Sequence, residues 1–177
     1  MGNPMKGATM ESKVKLFGHP LHQMLVVFPL GLLGTSVVFD LLHLLGDYPQ
    51  AATVAYGLIA AGVVAGLLAA PWGLIDWLAI PSGTRAKSIG ALHGGGNVVV
   101  LLLFAVSWWL RPAEAGAPPP QIAWIVSFCG AALSLVTAWL GGELVDRLGV
   151  GVSPNAHLDA RSSLAGPADP APVGHTR

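Results

Sequence analysis

Residues 21–45 read LHQMLVVFPLGLLGTSVVFDLLHLL, and Asp40 is the one charged side chain among them. A run of about 20 apolar residues is what a helix needs to cross the hydrocarbon core of a bilayer. Pro20, just before it, suits a helix start, where its missing N–H costs nothing. A secretory signal is the competing reading, but the run is too long for the apolar region of one and has no small-residue cleavage motif. It is therefore read as a span. Three more apolar stretches follow, at about 51–70, 89–110 and 122–140. Pro71 is expected to bend or end the second. The fold predicted is an all-α, integral membrane four-helix bundle.

Composition agrees. Of 177 residues, 53% are hydrophobic and 10% charged, whereas a soluble domain carries about 25% charged residues. The mean hydropathy is +0.64. Nine Lys and Arg balance nine Asp and Glu, so no excess charge recruits nucleic acid. One cysteine, Cys129, excludes an intramolecular disulfide, a CxxC redox pair and an iron–sulfur cluster held by this chain alone. The chain divides into a polar segment at 1–15, a transmembrane domain at 16–152 and a Pro-, Ala-, Gly- and Ser-rich tail at 153–177, which is too poor in apolar residues to pack.

Basic residues set an expected orientation. Lys6, Lys13, Lys15, Arg85, Lys87, Arg147, Arg161 and Arg177 fall on one side of the four spans, and only Arg111 on the other. The positive-inside rule then puts both termini in the cytoplasm, as for a multi-pass protein of a bacterial inner membrane. Trp72, Trp77 and Trp139 fall near one boundary, and Trp108, Trp109 and Trp124 near the other, as interfacial belts do. Glycines on the helix faces favour close packing of backbones. They exceed what one bundle needs, so a homodimer is expected.

Ionisable groups in a membrane require a partner or a role. His19 and His22, three apart, are read as sharing one face of the first helix, with His93 at similar depth on the third. Imidazoles from two helices suit a six-coordinate b-type haem. On that reading His93 and His22 are the axial ligands, with His19 as the alternative. Gly94 and Gly95 make room for the macrocycle, and Arg85 and Lys87 pair with its propionates. Asp76 could orient a ligand histidine. A non-haem transition metal at His19, His22, His93 and Asp76 or Glu143 is the chemical alternative, and a scaffold whose histidines only satisfy one another is the non-enzymatic one. Asp40 and His43, three apart near the other face, are read as a pair.

The stretch Gly18-His-Pro-Leu-His-Gln-Met-Leu-Val-Val-Phe-Pro-Leu-Gly-Leu32, with Asp40 after it, resembles the opening of the DUF2231 family of predicted bacterial membrane proteins. So do Gly66-Leu-Leu-Ala-Ala-Pro-Trp-Gly-Leu-Ile-Asp76 with Ile80-Pro81, the segment 86–97 carrying His93-Gly94 and Asn97, and Leu140-Gly-Gly-Glu-Leu-Val145 with Gly149-Val-Gly-Val152. The resemblance covers about residues 16–152 and implies four helices. Some members resemble fusions to a Rieske-type domain, which implies electron transfer. With Cys129 alone, this chain would need a separate redox partner or a quinone.

Overall fold

The computed structural model describes residues 9–46 and 48–165. The expected polar segment 1–15 and tail 153–177 lie partly outside that range, as do Lys6 and Arg177. Four helical spans dominate the structure: Leu21–Gly46, Pro49–Ala79, Arg85–Trp109 and Gln121–Arg147. At about 1.5 Å per residue, helices of 25 to 31 residues are long enough to cross a hydrocarbon core of about 30 Å.

A two-residue hairpin precedes the first span. Strand β1 (Lys15–Leu16) pairs antiparallel with β2 (His19–Pro20). Phe17 and Gly18 make the turn at φ 51° and 82°. Both turn residues are left-handed, as a type I′ turn demands, and for Phe17 this is an uncommon conformation. Pro20 then caps α1 (Leu21–Leu25), which continues as α2 (Val27–Gly46). His19 therefore lies in the hairpin, before the helix. The expectation that it shares a helical face with His22 fails because the helix starts at Leu21.

Pro49 stands in the first turn of α3 (Pro49–Ala79). This helix continues past Pro71 to Ala79, so of the expected bend or end at Pro71 the end does not occur. Neighbouring helices let membrane helices tolerate the hydrogen bond that proline removes. Thr84 caps α4 (Arg85–Trp109), its hydroxyl accepting from the Lys87 N–H at 3.2 Å. Helix α5 (Gln121–Gly142) ends in a π turn over Glu143–Arg147.

The helices form two hairpins, α1/α2 with α3 and α4 with α5. Each hairpin is packed far more extensively within itself than against the other. Leu33, Ile59, Val100 and Phe104 make the buried core, flanked by Val37, Val63, Leu101, Ala131 and Leu133. Outward, Val27, Phe28, Leu67, Leu68, Leu102, Leu135 and Val136 are exposed. Apolar surface on this scale faces lipid, since water would not tolerate it.

Candidate functional site

The face carrying the hairpin, the α3–α4 loop and the end of α5 is termed the termini face. His22 of α1 and His93 of α4 lie towards it, both half-buried. Nδ1 of His22 meets the carbonyl of Ala69 on α3 at 3.1 Å, and Nδ1 of His93 meets the carbonyl of Thr137 on α5 at 2.9 Å. A carbonyl only accepts, so each Nδ1 is the donor, and in a neutral imidazole so held the lone pair lies on Nε2.

The two arrangements are copies. Each histidine bonds the carbonyl four residues before a glycine and lays its ring on that glycine. A Cβ at Gly73 would stand 2.7 Å from the His22 ring, and one at Gly141 would stand 3.1 Å from the His93 ring. The repeat extends along both hairpins. Positions 22 and 93 are 71 apart, as are Leu33 and Phe104, Ser36 and Ser107, and Asp40 and Arg111. On the returning helices Ala55 and Ala123, Gly62 and Gly130, Ala69 and Thr137, and Gly73 and Gly141 are each 68 apart. Leu33 packs on Gly62 as Phe104 packs on Gly130, and Ser36, Ser107, Ala55 and Ala123 are all fully buried.

Asn97, one turn after His93, donates to the His93 carbonyl at 2.9 Å and accepts from the Thr137 hydroxyl at 3.0 Å. Its amide nitrogen is 3.3 Å from Nε2 and 3.5 Å from Nδ1 of His93. Nearly equal distances put it beside the ring rather than along the Nε2 lone pair.

The other predicted site residues are engaged elsewhere. His19 is exposed, with Nδ1 3.1 Å from the Phe17 carbonyl. Asp76 accepts from the Ser12 hydroxyl at 2.7 and 2.9 Å and from the Lys13 N–H at 2.7 Å, which ties the N-terminal segment down. The orienting role anticipated for it belongs instead to the carbonyls of Ala69 and Thr137. Arg85 pairs with Glu143 at 2.6 Å. Lys87 donates to the Trp77 carbonyl at 2.7 Å, with its ammonium 4.1 Å from the centre of a Trp77 ring. Gly94 and Gly95 are exposed on α4 with nothing within 4 Å of an added Cβ; Gly96 is the one that admits α5, through Thr137. Among the described residues, no three His, Cys, Asp or Glu side chains gather as a metal-ligand set.

At the far face the structure corrects the pairing of Asp40 with His43. Asp40 receives Arg111 through two bonds, Nη1 to Oδ1 at 2.6 Å and Nη2 to Oδ2 at 2.7 Å. Their side chains are 0% and 1% exposed. The Ser127 hydroxyl donates to Asp40 at 3.2 Å, and Ser107 accepts from Arg111 at 3.2 and 3.3 Å. His43 turns to the Tyr48 carbonyl at 3.2 Å and to the ring of Trp124. Arg111 was missed because it counted only as a loop charge. The 71-residue repeat, which sets it against Asp40, was the available signal.

A family model described as predicted membrane protein (DUF2231) matches residues 18–154. The chain belongs to the DUF2231 family. The match starts at the Gly18 turn and ends just past the π turn, so DUF2231 corresponds to the two hairpins and their junctions. No curated protein and no solved structure matches the chain.

Proposed function

We propose that this DUF2231 protein is a membrane electron carrier holding one b-type haem between His22 and His93. The observation that carries the reading is the duplicated anchoring of the two imidazoles. Each donates its Nδ1–H to a helix carbonyl, which in the neutral ring leaves the lone pair on Nε2, the tautomer an iron ligand needs. They come from different hairpins, so they can approach a flat group from opposite sides. The fully buried side chains Phe104, Ile59, Asp40, Ser36, Ser107 and Ser127 lie in the middle or far half of the bundle, whereas His22, His93, Asn97 and Trp72 are only half-buried. Iron supplies the one-electron chemistry, and the protein sets its axial ligands and surroundings.

In the same reading both termini are cytoplasmic in a bacterial inner membrane. Burial of Arg111 against Asp40 neutralises the one basic residue counted on the opposite side, which sharpens the charge asymmetry. Electrons would pass between a quinol and a separate redox protein. The test is haem content: chains expressed with adequate haem should purify with about one haem each, and chains that purify without haem refute the reading.

A scaffold is the second reading, favoured by the fact that the same imidazoles tie α1 to α3 and α4 to α5. It predicts that His22→Ala and His93→Ala lower stability in a protein that never shows a haem spectrum.

A further inference from the structure

We infer that the chain is a tandem duplication of one helical hairpin, in which Asp40 and Arg111 are the complementary charges that make each hairpin pair with the other rather than with its like. They occupy equivalent positions, 71 residues apart, at the same level of two hairpins that run in the same sense. These two equivalent positions lie where the copies meet, so the residues there face one another across the interface. Identical residues there would bring two carboxylates or two guanidinium groups together in a site 0 to 1% exposed. Uncompensated charge in such a site is strongly destabilising. One acid and one base remove that conflict only in the mixed pairing.

The surroundings suit either polarity. Ser107 and Ser127 reach the ion pair with hydroxyl groups, which both donate and accept. Elsewhere the hairpins meet through contacts such as Gly66 against Leu101, His43 against Trp124 and Lys87 against Trp77, and among the described residues Asp40 with Arg111 is the contact made of two opposite, fully buried charges. The buried charges therefore carry the specificity.

The experiment uses full-length chains carrying Asp40→Arg, Arg111→Asp or both, scored by the yield of folded monomer in detergent. Each single variant should lose roughly tenfold or more, and the doubly reversed chain should recover to within about twofold of the parent. Co-expressing the two single variants, with different tags, should yield a dimer containing both chains. In it each hairpin finds its opposite charge on the other chain. Two results overturn the inference: a doubly reversed chain as poor as either single, or co-expressed singles that give no mixed dimer.

Discussion

Arg111 clasps Asp40 through two parallel hydrogen bonds of 2.6 and 2.7 Å at the far end of the bundle, joining the hairpins by a fully buried ion pair. A guanidinium fork against a carboxylate is specific in direction as well as favourable in energy. The contact fastens one end of a structure whose other end carries the two anchored imidazoles.

Removing one partner strands the other. Asp40→Ala or Arg111→Ala should cost about 3–5 kcal/mol, whereas replacing both by apolar residues of similar volume should cost much less. Thermal unfolding in detergent checks this. Equal losses in the single and double replacements would contradict it.

The glycines under the histidines should be sensitive to one methyl group. Gly73→Ala drives a Cβ to 2.7 Å from the His22 ring and should cost about 1–3 kcal/mol as the ring and helices adjust. Gly94→Ala meets nothing within 4 Å and should stay within about 1 kcal/mol of the parent, since alanine favours helix. Unfolding midpoints of the two variants, measured side by side, make the comparison.

Asp76 should act on the N-terminal segment more than on the bundle. Asp76→Ala removes the partner of Ser12 and Lys13, so proteolysis near residues 9–14 should accelerate while the spans stay protected. An unchanged cleavage pattern would contradict this role.

Acid should loosen the same segment. Hydrogen bonds from Lys15 and then from Ser153 hold the Glu11 carboxyl below its ordinary pKa. A lowered folded pKa gives a contribution that is present above the unfolded value, about 4.3, and lost as pH falls through the folded one. Protection factors at residues 9–16, which divide out the pH dependence of intrinsic amide exchange, should therefore fall below about pH 4 and change little between pH 6 and 8.

Sequence alone revealed the four spans, because lipid demands long uninterrupted apolar helices and little else produces them. It also singled out His22 and His93, since imidazoles are scarce in such segments. Side-chain direction was not legible. Gly94 and Gly95 follow His93 directly, yet helical rotation turns them outward, and Gly141, on another helix, takes the packing role. Asp40 was matched with the nearest polar neighbour, His43, although Arg111 lies closer in space. Spacing along one helix cannot reveal a partner on another, but the repeat between hairpins can. His19 was misassigned because a left-handed Phe17 turn precedes the helix.

The most direct measurement is the electron paramagnetic resonance of the oxidised, haem-loaded protein, compared with its His22→Ala and His93→Ala variants. The account predicts a low-spin ferric signal from two imidazoles in the parent and its loss, with a high-spin signal or no haem, in each variant. A haem that stays low-spin after either substitution, or a parent that takes up none, would contradict ligation by this pair.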